Sequence, residues 1–398
     1  MDYLESNHLL SEYQFGFRKN RSTETATVLF TDEIRKAMNN GLLTGAIYID
    51  LSKAFDTISH SILIDTLPQY GITGKAKNWL CDYLFARSQL VSYQNEISPA
   101  QPIFCGVPQG SILGPLLFII YYNNAVNTLK KSKILIYADD TVIYFSHSNI
   151  KVIQKQLEED FSSLAQWLDL NELVINTKKG KTEIMVFGTS MRLSKLNDEK
   201  IKIEHNLNEI FNTKSYKYLG LLLTSNLNMS EHLNKSIKKY SSRLRLLRKI
   251  RCFVDADTAL SIYQAMIAPL LTYCSFSLYG STPTHIQQKI SNFESRAEIL
   301  VGRKLPRREN IIKKRMCAYV HRCLHKNNVC NSFKNYFQIK TTQVNTRSNG
   351  TMLSIPKVKL NVSRSSFYFQ GTVVFNDLPK YIRTEKNFTT FKTKLRDL

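Results

Sequence analysis

The chain has 398 residues, of which 43% are hydrophobic and 22% charged, with only 15 Gly and 10 Pro. That composition excludes a disordered, collagenous or low-complexity chain and allows at least one large core in two or three subdomains. The formal net charge of +22 excludes an evenly neutral surface and points to a polyanionic partner.

The charge is unevenly placed. Residues 1–224 hold 23 Lys and Arg against 23 Asp and Glu, whereas residues 225–398 hold 31 against 9. A balanced first half suggests chemistry, and a basic second half suggests the holding of a polyanion; the plain alternative is a basic surface that binds any polyanion. The seven cysteines are scattered and odd in number, which argues against a disulfide framework and for a reducing compartment. The opening Met1-Asp2-Tyr3-Leu4-Glu5 has neither the basic start nor the apolar core of a signal peptide. The expectation is an intracellular protein of the nucleus or cytoplasm that is not secreted.

In chain order, residues 1–45 read as helical and partly polar, with a glycine-containing turn at 14–18. Ala46-Ile47-Tyr48-Ile49 is an apolar strand that ends on Asp50. Residues 57–90 read as helices, with apolar residues three to four apart. Pro108-Gln109-Gly110 opens a further helix after a loop. Residues 97–129 and 258–288 carry no Asp, Glu, Lys or Arg. Both are interrupted by Pro and polar residues, and neither offers the ~20 mostly apolar residues of a membrane span. Buried core is expected for both, and no membrane partner.

Two apolar, β-branched runs, Ile134-Leu135-Ile136 and Thr141-Val142-Ile143-Tyr144-Phe145, flank Tyr137-Ala138-Asp139-Asp140. This predicts a tight hairpin with two carboxylates at its tip. Adjacent acids repel unless a cation lies between them and further ligands, and Asp50 at the end of another strand is a third candidate. The plain alternatives are an acidic turn and a strand-terminal cap. Residues 151–170 form an amphipathic helix through Ile153, Leu157, Phe161, Leu164 and Leu168, and residues 174–187 return to strand, interrupted by Lys178-Lys179-Gly180-Lys181. The alternation fits an α+β fold, an antiparallel sheet backed by helices.

After residue 223 the texture changes. Residues 232–254 contain eight Lys and Arg and no acid, with Ile237, Tyr240, Leu244 and Leu247 on one stripe. That is a basic amphipathic helix, suited either to a nucleic-acid backbone or to a solvated core helix. Cys317, His321, Cys323, His325 and Cys330 cluster, but their spacing matches no common zinc pattern and buried thiols are the expectation. The aromatics Tyr336, Phe337, Phe367, Tyr368 and Phe369 lie among basic residues; a small core is favoured over stacking on bases.

Five blocks in order resemble the reverse transcriptase of non-LTR (LINE-type) retrotransposons: Gln14-Phe15-Gly16-Phe17-Arg18 with Arg21-Ser22-Thr23; Asp50-Leu51-Ser52-Lys53-Ala54-Phe55-Asp56; Gly106-Val107-Pro108-Gln109-Gly110-Ser111; Tyr137-Ala138-Asp139-Asp140; and Tyr218-Leu219-Gly220. The resemblance continues weakly through Asn376-Asp377-Leu378-Pro379. It implies a polymerase palm with partial fingers over 1–224, a helical, basic, thumb-like region over 225–300, and a basic C-terminal region of unassigned role over 301–398. It implies two-metal nucleotidyl transfer with Mg²⁺, or Mn²⁺, held by Asp50, Asp139 and Asp140, with RNA template, DNA primer or target DNA, and dNTPs as partners.

By the same resemblance Phe55 is the steric gate against a ribose 2′-hydroxyl. Gln109 and Gly110 lie against the incoming nucleotide, Arg18 contacts template or triphosphate, and Lys181 gives a proton to the leaving pyrophosphate. Tyr218, Leu219 and Gly220 form the primer grip. The family carries an earlier fingers segment with an Arg-Pro-Ile motif that has no counterpart here, and Tyr122-Asn123-Asn124 stands where Ile-Asn-Asp is common. The expectation is an N-terminally truncated polymerase. The alternatives are a non-catalytic nucleic-acid-binding remnant and, against Phe55 and Ala138, an RNA-dependent RNA polymerase.

Overall fold

The computed structural model describes residues 1–196, 199–326, 329–340 and 350–398. The chain forms two compact units, each discontinuous in sequence. Met1–Arg21, Thr44–Val186 and Asp198–Thr213 make the first; Ser22–Leu43, Phe187–Asn197 and Lys214–Leu398 make the second.

The first unit is built on a five-stranded sheet. Its strand order is Phe211–Asn212, Glu183–Phe187, Leu43–Ile49, Asp140–His147, Lys133–Tyr137. The apolar strand Leu43–Ile49 lies third of five and is buried along its whole length, as a central strand covered on both faces must be. The expected hairpin is antiparallel, with Tyr137 opposite Asp140. One edge departs from the expected antiparallel pattern: Phe211–Asn212 runs parallel to Glu183–Phe187, which the long connection between them permits.

Helix Ile150–Leu170 buries Ile153, Leu157, Phe161, Leu164 and Leu168, the stripe read from the sequence. It lies close because Gly45 has no side chain: a Cβ there would stand 2.4 Å from Ile153 Cγ2. The helix expected from Pro108 starts later, at Leu113. Gly110 has φ +80°, outside the helical region, and Ser111 Oγ accepts the Gly114 N–H at 2.9 Å. Leu113–Tyr122 is largely buried, but residues 97–105 are almost all exposed, so the core expected over the whole uncharged stretch is confined mainly to this helix. Asn123, in the stretch that departs from the family pattern, accepts from Ser11 N and donates to Leu9 O and the Tyr70 hydroxyl.

The second unit is helical. Helix Thr23–Asn39 starts at a capping box between Ser22 and Thr25 and carries a buried ion pair, Asp32 with Arg35 at 3.1 Å. The Asp32 carboxylate also accepts from Tyr336 Oη and from the backbone N–H of Phe367 and Tyr368, so it caps helix Phe367–Asn376. Phe367 is fully buried and stacks on Phe276 at 4.9 Å. The late aromatics thus form core. Helix Ser230–Ile250 buries Leu233, Ile237, Tyr240, Leu244 and Leu247 and exposes Lys235, Lys238, Lys239, Arg243, Arg245, Arg248 and Lys249. Residues 225–300 and 301–398 belong to this one unit, which resumes at Lys214.

Cys317 and Cys323 are buried thiols, and burial pushes Cys317 up to about 12; His321 stacks on Phe391 at 4.2 Å. Among the described residues no single helix is long and apolar enough to cross a membrane; one bent pair, Ala256–Thr272 with Ser275–Ser281, passes on length and composition alone.

Candidate active site

Asp50 follows the central strand, and residues 174–182 hold it there. Ser52 N–H donates to Val174 O and Asn176 N–H to Asp50 O, both at 2.8 Å, and Leu51 bridges Ile175. Asp50 N–H donates to Thr182 Oγ1 at 3.2 Å. On the carboxylate, Oδ2 accepts from Asn176 Nδ2 at 3.0 Å, and Oδ1 meets Lys181 Nζ at 3.4 Å.

The acid hairpin turns on two residues, Ala138 and Asp139. Ala138 has φ +58°, a conformation costly for any residue but glycine. Segment 13–16 steadies it. Phe15 N–H donates to Ile136 O at 2.7 Å, and Ile136 N–H to Tyr13 O at 2.9 Å. The buried Gln14 Oε1 accepts from Gly16 N at 2.8 Å and Ala138 N at 3.0 Å. A Cβ on Gly16 would stand 2.4 Å from Ala138 N, so this approach demands glycine.

The three acids are electrostatically coupled. Asp139 lies above the usual carboxylate range, chiefly through burial and then through the Asp50 charge. Asp140 is pushed up to about 6 by burial, then by Asp139 and Asp50, with Lys181 pulling back. Asp140 is nonetheless open to water along part of its surface, which screens part of this crowding. Three hard oxygen donors that destabilise one another's charge are the chemistry a divalent cation relieves. As they stand, no three carboxylate, imidazole or thiolate groups among the described residues converge on one point that could hold an ion; Asp50 is turned to Asn176 and Lys181.

Phe55 is half-buried, stacked on Phe118 at 4.5 Å and edge-on to Phe17 at 6.4 Å. The block at 106–110 is stitched to the block at 50–56. Val107 N–H donates to Phe55 O and Gly106 N–H to Ile58 O; His60 Nε2 meets Gly106 O at 2.7 Å; Gln109 Nε2 donates to Asp56 Oδ1 at 2.7 Å. Beside them opens a cleft of about 840 Å³ whose lining includes Lys53, Asp56, Arg87, Phe104, Cys105 and Gln109.

Arg18 does not face this site as a free cation. It pairs with Glu5 at 2.7 Å, with its side chain 5% exposed, and bonds the carbonyls of Ser11 and Gln14. The expected contact with template or triphosphate is therefore replaced by a structural tie. Tyr218-Leu219-Gly220 lies in the second unit. It is a two-residue turn in which Leu219 and Gly220 both have positive φ, and Tyr273 Oη donates to Leu219 O at 2.7 Å.

The family model described as reverse transcriptase (RNA-dependent DNA polymerase) matches residues 1–223. The chain belongs to the reverse transcriptase family. Its relatives are polymerases of non-LTR retrotransposons. It is 26% identical over 312 residues to a probable RNA-directed DNA polymerase from transposon BS of Drosophila melanogaster, covering 74% of this chain and 33% of that protein. It is 27% identical over 303 residues to the RNA-directed DNA polymerase from mobile element jockey of Drosophila funebris, covering 71% and 31%. The chain thus spans about a third of the length of these curated relatives. Among solved structures it is similar to a Candida albicans telomerase in complex with a fragment of telomeric RNA, at TM-score 0.40 and 10% identity, covering 84% of this chain and 57% of that one.

Several supports of this reverse transcriptase site were not legible beforehand. Asn176 and Thr182 hold Asp50, Gln14 holds the hairpin turn, and Asp56 holds Gln109. Each is a polar residue beside a motif, and only the pairing of distant segments gives it a partner.

Proposed function

We propose that the chain is the polymerase portion of a non-LTR retroelement protein and extends a DNA primer on an RNA template from dNTPs. The observation that carries the reading is the hairpin that sets Asp139 and Asp140 beside Asp50, where burial first and then the two neighbouring charges push Asp140 up to about 6. These three would hold Mg²⁺, with Mn²⁺ as a substitute, and the bound ions would activate the primer 3′-oxygen and offset charge on the leaving phosphate. Phe55, backed by Phe118, presents a fixed ring that leaves a 2′-hydroxyl neither room nor partner. Gln109, oriented by Asp56, and Gly110 border the nucleotide. Lys181 supplies a proton to departing pyrophosphate. The turn Tyr218-Leu219-Gly220 serves as primer grip, and the exposed basic face of helix Ser230–Ile250 follows the nucleic-acid backbone. An intracellular setting, nuclear or cytoplasmic, suits seven free thiols.

Primer extension on an RNA template with dNTPs and Mg²⁺, run beside Asp139→Ala, tests this. Extension that vanishes in the variant supports it. No extension, with equal salt-sensitive RNA binding by both proteins, would favour a binding remnant, the reading that the 31 to 9 excess of basic residues after 224 also suits.

A further inference from the structure

The two oxygens of Asp50 are held in different ways. Oδ2 takes the Asn176 carboxamide at 3.0 Å. That carboxamide is itself fixed: Asn176 N–H donates to Asp50 O, its carbonyl accepts from Thr182 N–H, and its Oδ1 accepts from Lys178 N–H. Oδ1 takes the longer contact from Lys181 at 3.4 Å, and the Lys181 side chain is 51% exposed on a flexible stem. One partner is anchored and neutral; the other is exposed and cationic.

We infer that Asn176 is a positioning residue that commits Asp50 Oδ2 and leaves Oδ1 as the oxygen offered to a divalent cation, with Lys181 standing on Oδ1 until a cation displaces it. The inference rests on the metal-dependent polymerase reading above. The residue type follows from the charge balance. An aspartate at 176 would add a fourth negative charge to Asp50, Asp139 and Asp140, and a lysine or arginine would neutralise Asp50 permanently. An asparagine donates a hydrogen bond without altering the charge that draws the ion. The lysine contact, in contrast, is an exposed pair of small worth that a divalent ion outcompetes.

The test is Mn²⁺ binding to the full chain without nucleotide, followed by electron paramagnetic resonance of the free ion, in the parent and in Asp50→Asn, Asn176→Leu, Asn176→Gln and Lys181→Met. Asn176→Leu keeps every backbone bond and loses the donor; Mn²⁺ affinity is expected to fall about tenfold. The Mg²⁺ concentration for half-maximal extension should rise in step, while the rate at saturating Mg²⁺ returns toward the parent value. Asn176→Gln, a carboxamide on a longer stem, should recover part of the loss. Lys181→Met should tighten Mn²⁺ about two- to fivefold, because a competitor is gone, and this arm serves if the Asn176 variants do not fold. Asn176→Leu binding Mn²⁺ as the parent does, or Lys181→Met binding it no better, overturns the inference. Asp50→Asn binding Mn²⁺ as the parent does overturns instead the polymerase reading of the site.

Discussion

Replacing Gln14 by Met tests whether the first motif exists to hold the acid hairpin. The side chain is 1% exposed, and its Oε1 is the acceptor for two amides, Gly16 at 2.8 Å and Ala138 at 3.0 Å. Methionine fills the same volume but accepts neither. Each orphaned buried N–H costs about 1–3 kcal/mol. One relief offsets this: Gln14 Nε2 has no hydrogen-bond partner among the described residues, and its removal returns about the same amount. Two penalties against one relief leave a net loss of about 1–3 kcal/mol. Polymerase activity should fall further than stability does, because the strained Ala138 at φ +58° would then be free to relax and carry Asp139 with it. Urea unfolding gives the first quantity, and primer extension well below the unfolding transition gives the second. Gly16→Ala, whose Cβ would meet Ala138 N at 2.4 Å, should produce the same pairing of effects by collision rather than by a lost acceptor. A Gln14→Met protein within about 0.5 kcal/mol of the parent and equally active would refute the clamp.

Asp32→Ala strands a fully buried Arg35 and uncaps Phe367 and Tyr368; a loss of about 3–5 kcal/mol is expected in urea or thermal unfolding. Asp139 and Asp140 have raised carboxyl pKa values, Asp140 to about 6, and the sign follows directly. The contribution of Asp140 to folding in EDTA is complete below the unfolded value, near 4, and is lost as pH rises through about 6, with Asp139 acting in the same direction. Mn²⁺ affinity should move the opposite way, falling as pH drops through that window because protons compete with the ion; urea midpoints and Mn²⁺ titrations at pH 7.5 and 5.5 read both. Arg245, Arg248 and Arg296 line a groove of about 530 Å³. Changing Arg245 and Arg248 to Gln should lower the slope of log affinity against log salt for RNA by about 1.4 if each contacts one phosphate.

The chemistry was legible in the sequence because carboxylates and strands leave local signatures. The hairpin at Asp139-Asp140, the end of the central strand at Asp50, and the stripe Ile153 to Leu168 each follow from periodicity over a few residues. What was not legible depends on partners far along the chain. Arg18 looked like a ligand for phosphate, and nothing nearby in its motif announces Glu5, thirteen residues earlier, as its counter-ion. The start of helix Leu113–Tyr122 was misplaced because Gly110 takes positive φ, which proline-glutamine-glycine does not reveal. Helix Thr23–Asn39, read as part of the N-terminal region, packs into the second unit through Asp32, a bond made across 336 positions.

The family blocks of the first unit are better understood as pairs than as separate signals. Block 13–16 supplies the acceptor that holds the turn before Asp139. Block 105–109 is laid on 55–60 by backbone bonds and by Gln109 to Asp56. Segment 174–182 grips Asp50 at its backbone and at both carboxylate oxygens. In every pair one member carries chemistry and the other constrains it. This arrangement suits a site that crowds like charges onto Asp139 and Asp140: carboxylates that repel would swing apart unless their backbones were tied. The ties are made by neutral groups, Gln14, Asn176, Thr182 and main-chain amides, which leave the negative charge intact for a cation. Lys181 is the exception, and its exposed, lengthened contact with Asp50 is the tie that a cation can most readily replace.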